Sequence, residues 1–454
     1  GADFYRERVD APAFTFSPTR NSSIASRPRV PNRARNLSYG FFAQDTFELI
    51  PRKLRLSTAL RYSVSSYESR ASNSPLVNGR PLFPDDSLRV DSFAGRAGVV
   101  FSPVSGFDIS FNYSRGFRAP SITDLGTLGL TGDGFEIAST DITGFGGTIG
   151  NRADDRAIST GIPIAQQRPE VSNNYDLSLR YHKGRIETDL TGFIIDINDT
   201  ITKQALILPQ GAVGKFLGDQ PITRQLPNGV VFVPLSASPV LVRANLDNSR
   251  LFGFEYTLQA RISNSLLLGG NFTYIRAKDK TTGLPPNIEG GTPAPAGFIS
   301  LRYTPQRKRY WVEVYSSLVY RQERLSSLDL ADRRTGATRS RTSIANFFNN
   351  GARFQGLVGN GMDRIAGTAD DILLPTGETL AQVQSRLLGN NTSAPLFPRL
   401  PGYGLINARG GIRINENSNI SIDFENIADK SYRGISWGID GPGRSLTVRY
   451  TYKF

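Results

Sequence analysis

Ser-Leu-Thr-Val-Arg-Tyr-Thr-Tyr-Lys-Phe, residues Ser445–Phe454, alternates polar and apolar side chains without interruption. The apolar positions are Leu446, Val448, Tyr450, Tyr452 and Phe454. A period of two predicts a β-strand with one apolar face. Three aromatic rings on that face are typical of a membrane-water boundary, where amphipathic rings settle. We therefore expect this strand to cross a membrane.

The same alternation recurs along the chain and predicts thirteen strands in all. The other twelve are 39–49, 54–64, 93–101, 107–113, 175–181, 186–194, 252–262, 266–274, 297–303, 310–320, 406–414 and 420–424. Many of them have the 9 to 11 residues that a tilted membrane strand needs. No apolar run reaches 18 residues, so transmembrane helices are not expected.

Short and long connections alternate between these strands. The short ones are 50–53, 103–106, 183–184, 263–264, 305–309 and 415–418, rich in Pro, Gly, Asn and Ser. The long ones are 65–91, 118–171, 198–249, 277–296, 323–402 and 427–444. Periplasmic turns and long outer loops alternate in this way in outer-membrane barrels, whereas a soluble sandwich seldom separates its loops so strictly. The predicted fold is all-β, a transmembrane antiparallel β-barrel.

An odd number of strands has a consequence for the domain organisation. Bacterial single-chain barrels close with an even number, so we expect further strands upstream. On this interpretation residues 1–37 are an outer loop before the first complete strand, and residues 38–454 are the C-terminal part of a barrel. Its longest outer loops are 118–171, 198–249 and 323–402. Alone, these strands would leave an open sheet edge, whose unpaired backbone N–H and C=O groups find no hydrogen-bond partner in lipid.

The charge is strongly basic, with 53 Lys and Arg against 40 Asp and Glu, a net charge of +13. Basic runs at Arg27–Arg35 and Arg333–Arg341 fall in predicted outer loops. Such a field favours anionic partners, and we expect contact with outer-membrane lipid and lipopolysaccharide. Nucleic acid is the rival partner for a basic chain, but the charges are scattered and accompany no recognised nucleic-acid fold.

Enzyme chemistry finds little support, and we predict no catalytic, cofactor-binding or metal-ligating residue. The chain has no cysteine and a single histidine, His182, beside a tight turn. A histidine metal cluster is thereby excluded, and a catalytic triad would depend on one turn residue. The glycine-rich segments 132–134 and 144–150 lack the strand and helix of a phosphate loop and are interpreted as flexible.

Two loop segments have more specific residue patterns. Asp363–Asp371 places three carboxylates around a glycine, a set of oxygen ligands that suits calcium, although the spacing is not that of an EF-hand. A polar turn without a metal is the favoured interpretation. Thr379–Leu388 has apolar residues at helical spacing and predicts a short helix over the barrel mouth.

Several charged positions are expected to be structural. On the polar strand faces, the predicted lumen lining is Arg96, Arg180, Glu187, Asp189, Glu255, Arg261, Arg409, Arg413 and Asp423. Asp429-Lys430 and Arg444 flank the last loop, where a charge pair could hold it. Phe117–Pro120 is interpreted as a strand end, because proline cannot donate to a β-ladder.

Four segments together resemble the TonB-dependent receptors, in particular the long-loop group described as Oar-like or carboxypeptidase-regulatory-like. They are Asn112–Ser121 (NYSRGFRAPS), Arg168–Leu177 (RPEVSNNYDL), Asn426–Tyr432 (NIADKSY) and Pro442–Arg444 (PGR) before the terminal strand. The resemblance covers residues 38–454. It implies a barrel of 22 strands with an N-terminal plug, of which thirteen would be numbers 10 to 22.

Function follows from this resemblance. It implies TonB-dependent active uptake across the cell outer membrane of a scarce nutrient such as a ferric siderophore, a glycan or a peptide. Neither a plug nor a TonB box is found in these residues, so contact with the TonB complex would pass through an N-terminal region outside them. A passive porin-like channel and a surface adhesion or export barrel are the alternatives.

Overall fold

The structure is a computed structural model that describes residues 1–26, 28–77, 79–288, 291–306, 309–332, 335–434 and 440–453, without the side chains of residues 15, 24–26 and 247. Its main sheet contains fourteen long strands within these residues. They are β1 (Ala2–Val9), β2 (Ala34–Ile50), β3 (Leu54–Ser69), β4 (Asp86–Val104), β5 (Phe107–Arg118), β6 (Glu170–Lys183), β7 (Ile186–Ile207), β8 (Val240–Arg261), β9 (Leu266–Asp279), β10 (Ala296–Tyr303), β11 (Tyr310–Val319), β12 (Tyr403–Arg413), β13 (Ser418–Glu425) and β14 (Ser445–Tyr452).

Each long strand pairs antiparallel with the next one along the chain, from β1 to β14. Among the described residues, β2 is the one partner strand of β1, and β13 is the one partner strand of β14. The sheet is therefore open, with β1 and β14 at its edges.

All thirteen predicted strands are present, but the predicted count is wrong, because a fourteenth strand lies in the segment expected to be an outer loop. Strand β1 pairs with β2 from Ala2 opposite Phe41 to Val9 opposite Ala34, so the loop is confined to residues 10–33. Its sequence, ADFYRERV, puts Phe4 and Tyr5 side by side and charges on both faces, which hides the alternation. The predicted odd number of strands is therefore wrong, and so is the assignment of these strands to numbers 10 to 22 of a 22-strand barrel.

The predicted separation of short and long connections is confirmed. Turns such as 51–53, 105–106 and 184–185 join the strands at one end, which we call the turn end. Gly106 and Gly184 have φ of +87° and +67°, a conformation that favours glycine in tight hairpins. The turn predicted at 305–309 includes residues 307 and 308, which lie outside the described residues, as does Phe454. The long segments 10–33, 70–85, 119–169, 208–239, 280–295, 320–402 and 426–444 lie at the opposite end, the loop end.

One face of the sheet is apolar and exposed. Its side chains include Phe111, Tyr175, Leu177, Tyr181, Leu190, Ile194, Phe254, Tyr256, Ile299, Leu301, Val312, Val314, Ile406, Ile422, Leu446, Val448 and Tyr450. Soluble proteins rarely expose an apolar surface of this extent, whereas a strand wall in lipid requires one. No helix in the described part of the chain is long and apolar enough to cross a membrane.

The loop end has secondary structure of its own. Its helices are α1 (Ile122–Gly126), α2 (Ser327–Ala331), α3 (Arg341–Asn346) with a following π turn (Phe347–Ala352), and α4 (Leu380–Leu388), with short 3-10 turns at Ala71–Asn73 and Ser139–Ile142. Its short strands are Ala13–Ser17, Ser22–Ser26, Leu76–Val77, Arg80–Pro81, Gly129–Leu130, Phe135–Ile137, Thr148–Gly150, Ser159–Pro163, Phe216–Leu217, Gln220–Pro221, Arg224–Gln225, Val231–Phe232, Arg339–Ser340, Val358–Gly359, Ile372–Leu373, Glu378–Thr379 and Ser393–Ala394. The predicted helix at Thr379–Leu388 is confirmed as α4, with Thr379 as its N-cap.

Candidate functional site

The loops at the loop end pack together around a hydrophobic core. The buried members are Leu82, Phe83, Leu128, Phe135, Ile137, Ile142, Leu206, Leu208, Ala212, Leu217, Ile222, Val231, Val233, Val240 and Val242. They come from the segments 70–85, 119–169 and 208–239 and from the outer ends of β7 and β8. We call this packed set of segments the loop assembly. A shared core gives the three segments a defined arrangement over the end of the sheet.

Backbone pairing attaches one of these segments to the sheet. Residues Phe135–Ile137 pair parallel with 240–242 of β8, and Thr148–Ile149 pair antiparallel with 206–207 of β7. Strands β7 and β8 have 22 residues each, so their outer ends extend past their neighbours and provide free edges. The segment 119–169 covers those edges, which protects them from other partners.

A network of charges, buried at the Lys203 and Glu136 end and exposed at Arg118, joins the same segment to four strands. It contains three cations, Lys203, Arg243 and Arg118, and four carboxylates, Asp124, Asp133, Glu136 and Glu170. Lys203 Nζ lies 2.5 Å from Asp133 Oδ2 and 2.8 Å from Glu136 Oε1. Arg243 bridges Glu136 and Asp124, with N–O distances of 2.9 and 3.1 Å. Arg118 completes the chain by pairing with Asp124 at 2.7 Å and Glu170 at 2.6 Å.

Burial sets the energetics of this charge network. Lys203 is 2 % exposed and Glu136 is 1 % exposed, so neither charge is solvated by bulk water. Burial alone would raise the pKa of the Glu136 carboxyl, but Arg243 and Lys203 beside it hold that pKa below its ordinary value. Burial raises the pKa of Asp133, and Lys203 opposes this only partly. Removing one partner of such a network is costly because it leaves an uncompensated charge.

Helix α1 positions one of the four carboxylates. Ser121 Oγ accepts a hydrogen bond from the Asp124 N–H, and Asp124 Oδ2 accepts one from the Ser121 N–H at 2.9 Å, which forms a capping box. The Ser-x-x-Asp pattern of Ser121 and Asp124 is a sequence signal for the start of a helix. The strand end expected at Phe117–Pro120 is confirmed at Arg118, but Arg118 also belongs to the charge network.

The glycine-rich segments differ from the expectation of flexible loops. Asp133, between Gly132 and Gly134, is 8 % exposed and pairs with Lys203. Residues Thr148–Gly150 form a strand against β7 and the segment 159–163. The signal in the sequence was Lys203 itself, a single charge next to the apolar positions Ala205–Leu208 inside the predicted loop 198–249.

A basic cleft of ≈ 680 Å³ opens between three loop segments. Its charged lining is Arg152, Arg156, Arg224, Arg341, Asp154 and Asp155, four cations against two carboxylates. Arg152 pairs with Asp154 at 2.9 Å, and the Arg224 guanidinium lies 3.6 Å from the centre of the Phe232 ring. Thr392 Oγ1 donates to Asp155 Oδ2 across the cleft at 3.1 Å. The lining can therefore receive anionic groups.

The basic runs contribute only partly to this basic cleft. Arg341, from the run Arg333–Arg341, lines it, and Arg339 lines the adjoining cavity. Arg27, Arg333 and Arg334 lie outside the described residues.

The acidic loop Asp363–Asp371 is held by its own hydrogen bonds. Asp363 Oδ1 accepts from the Ile365 N–H at 2.8 Å, and Asp370 Oδ2 accepts from the Asp363 N–H at 3.1 Å. Asp371 pairs with Arg353. Among the described residues no group of three or more acidic or histidine side chains has the arrangement of a metal site.

The remaining predicted positions are placed as follows. His182, 48 % exposed at its side chain, has Nδ1 3.6 Å from Asp108 Oδ2 near the turn end. Arg444 lies 3.4 Å from Asp429, the pair expected at the last loop. Several predicted lumen residues form ladders on the polar face: Arg180 pairs with Asp189 at 3.1 Å, Arg409 pairs with Glu313 at 2.9 Å, and Asp423 accepts from Tyr315 at 3.0 Å.

The chain is similar in fold to solved transporters and import receptors. The copper transporter OprC superposes with a TM-score of 0.61 and 12 % identity, over 100 % of this chain and 53 % of that one. The FrpB iron transporter from Neisseria meningitidis superposes with a TM-score of 0.51 and 13 % identity, over 94 % of this chain and 46 % of that one. The ferric-catecholate import receptor Fiu from E. coli K12 superposes with a TM-score of 0.50 and 13 % identity, over 93 % of this chain and 45 % of that one. The chain thus spans about half the length of these proteins.

Sequence comparison agrees with this likeness in fold. The search of curated proteins gave no match. A family model, the TonB dependent receptor-like β-barrel, matches residues 1–427. This family lies in the outer membrane, and the apolar strand face and alternating connections of the structure are those that such a location requires. The chain therefore belongs to the TonB-dependent receptors, in their β-barrel domain.

Proposed function

We propose that the chain is part of an outer-membrane receptor for TonB-dependent active uptake of a scarce nutrient such as a ferric siderophore, a glycan or a peptide. The observation that carries this proposal is the loop assembly. Three long segments share one hydrophobic core and a buried charge network at the loop end of a membrane-suited sheet. A rigid arrangement of loops is what selective capture of a ligand before transport needs.

The membrane setting is part of the same proposal. The turn end faces the periplasm and the loop end faces the exterior, with the apolar face in contact with lipid. The open edges at β1 and β14 would be paired by further strands, because unpaired backbone groups are costly in lipid. The chain would then form the C-terminal part of a longer barrel, and a plug and the TonB contact would belong to the rest.

The basic cleft gives the outer surface a defined anion-binding region. Together with the net charge of +13 it supports contact with lipopolysaccharide phosphates around the barrel. We propose no catalytic role for any residue of the chain.

Uptake by intact cells tests the proposal. Cells expressing the complete gene product are supplied with iron-55 siderophores, labelled glycan fragments and labelled peptides, with and without TonB. We expect at least one probe to accumulate, and its accumulation to stop when TonB is deleted or a protonophore is added. Accumulation that continues without TonB would instead indicate a porin-like channel, and surface attachment without accumulation would indicate an adhesion or export barrel.

A further inference from the structure

The exposed apolar face of the sheet ends, on its loop-end side, in a row of charged residues. On β7 the exposed side chain of Ile194 belongs to this face, and the next position on the same side is Asp196. Arg250 of β8 lies opposite Asp196, and Lys278 of β9 lies opposite Arg250. These charges therefore lie on the outer side of the sheet, at the boundary of the band that would contact lipid.

Cations outnumber carboxylates at this boundary. Nε and Nη2 of Arg250 lie 2.6 and 2.7 Å from the two carboxylate oxygens of Asp196, and Lys280 Nζ lies 3.7 Å from Asp196 Oδ2. Lys278, and Arg276 two positions before it on the same face, have no ion pair in the described part of the chain. Four cations thus accompany one carboxylate, and we call Arg250, Arg276, Lys278 and Lys280 the outer cations.

A groove of ≈ 690 Å³ lies in the apolar face next to the outer cations. Arg250 and Lys278 line its loop-end side, and the rest of its lining is mostly apolar. The apolar lining includes Phe111, Tyr175, Leu177, Ile194, Phe254 and Tyr274. We call it the apolar groove. Its volume lies in the range of ligand-binding pockets, and its charged side faces the loop end.

Gly192 leaves room in the apolar groove. It lines the groove between Leu190 and Ile194, and a Cβ at this position would meet no atom within 4 Å. The pairing of β7 with both neighbouring strands has no register shift at Gly192, and its φ is not positive, so the backbone does not require glycine there. A glycine inside a regular strand weakens the strand and often marks the close approach of a ligand. The space over Gly192 is therefore open to a ligand from outside the chain.

The combination of phosphate-binding and apolar surfaces defines the partner. We propose that this site binds one molecule of lipid A, the phosphorylated and acylated part of lipopolysaccharide, with an acyl chain in the apolar groove and a phosphate on the outer cations. Arg and Lys donate charge-assisted hydrogen bonds to phosphate oxygens, and an acyl chain is stabilised by burial against apolar side chains. The order of the two surfaces selects the leaflet, because a lipid with its phosphate at the loop end belongs to the outer leaflet.

This inference rests on the membrane setting of the proposed function and assigns a lipid site on the strand wall, separate from the basic cleft. Lipid A held there would contact β6, β7, β8 and β9, the strands that contribute to the groove. A ligand that binds only the folded protein stabilises it by mass action. Since the outer ends of β7 and β8 carry the loop assembly, bound lipid A would also stabilise the base of that assembly.

Native mass spectrometry of the complete protein released from detergent tests the inference. Lipid A with two phosphates is the probe, dephosphorylated lipid A is its matched control, and phosphatidylglycerol tests for a phospholipid site. We expect lipid A to be retained and its dephosphorylated form to be lost. Phosphatidylglycerol should be retained less well, because its single phosphodiester carries less charge than two phosphate monoesters.

Two variants test the two surfaces separately. Lys278→Gln should weaken retention of one lipid A molecule by about fivefold, as expected for one basic residue at an anionic lipid. Lys53→Gln removes the same charge at the turn end and should have no effect. Gly192→Trp fills the apolar groove and should weaken retention by about tenfold, the equivalent of about two CH₂ groups that lose their contact. Gly192→Ala is its control, because a single methyl group leaves most of the groove open.

Equal retention of lipid A and its dephosphorylated form, a preference for phosphatidylglycerol, or unchanged retention in both Lys278→Gln and Gly192→Trp would overturn the inference. Lys278→Gln leaves the apolar band intact, so it remains informative if Gly192→Trp does not fold. Neither TonB nor a nutrient enters the measurement. Failure of uptake in cells would therefore reject the proposed function alone, and normal uptake by a protein that retains no lipid A would reject this inference alone.

Discussion

At the scale of single residues, Lys203 is the group on which the loop assembly most depends. Lys203→Met keeps the length of the side chain but leaves Asp133 without its cation, so we expect a destabilisation of about 3–5 kcal/mol. Hydrogen exchange of residues 129–150 should become faster while exchange in the strands near the turn end is unchanged. Arg168→Met is the control, because its partner Asp199 is exposed and such pairs contribute about 0–1 kcal/mol. Equal exchange in the two variants would contradict the role of Lys203.

Residues of this kind were the hardest to predict from the sequence. The surface pair Asp429 and Arg444 was found because both residues flank the same predicted loop, 427–444. Lys203 and Asp133 are 70 positions apart, and Arg243 and Asp124 are 119 positions apart. A local pattern cannot show which distant charges become buried together, because that depends on how the loops fold over the sheet. Only the Ser121-Asp124 capping box was visible in the local sequence.

At the scale of elements, helix α4 illustrates how a loop of more than eighty residues is stabilised internally. Its residues Val383 and Leu388 are buried against Ile344, Phe348 and Val358. Leu388→Ala should destabilise this cluster by about 2–5 kcal/mol, since it removes a buried side chain and leaves a cavity. Limited proteolysis should then cut the segment 341–394 earlier.

The neighbouring residue supplies the matched control for that experiment. Leu387 is 36 % exposed whereas Leu388 is 2 % exposed, although the two differ by one position on the same helix. Leu387→Ala should therefore leave the rate of proteolysis close to that of the unchanged protein. If both variants were cut at the same faster rate, helix propensity rather than burial would explain the effect.

Strands were predictable where one face is apolar, and their outer ends were not. Strand β7 was predicted as 186–194 but extends to Ile207, and β8 begins at Val240 instead of 252. The outer halves of these strands are covered by the segment 119–169, so both faces can be apolar and the alternation disappears. Strand β1 was missed for the related reason that its charges fall on both faces.

At the scale of the whole molecule, the arrangement of turns and loops predicts the orientation in the membrane. The chain contains no cysteine, so labelling above the level of the unsubstituted complete protein reports on the one position where a cysteine is introduced. Ile365, 61 % exposed in the segment 320–402, lies at the loop end, and Asn264 lies in the turn between β8 and β9. Both positions are at the surface, and substitution at either should leave the sheet intact.

An impermeant maleimide reagent applied to intact cells should label Ile365→Cys in the complete protein. Asn264→Cys should be labelled only after the outer membrane is permeabilised, because the turn end would face the periplasm. The reverse pattern would contradict the orientation, and with it the placement of the loop assembly and the basic cleft where an external ligand first arrives. Labelling of both positions in intact cells would show that the sheet is not inserted as a membrane wall.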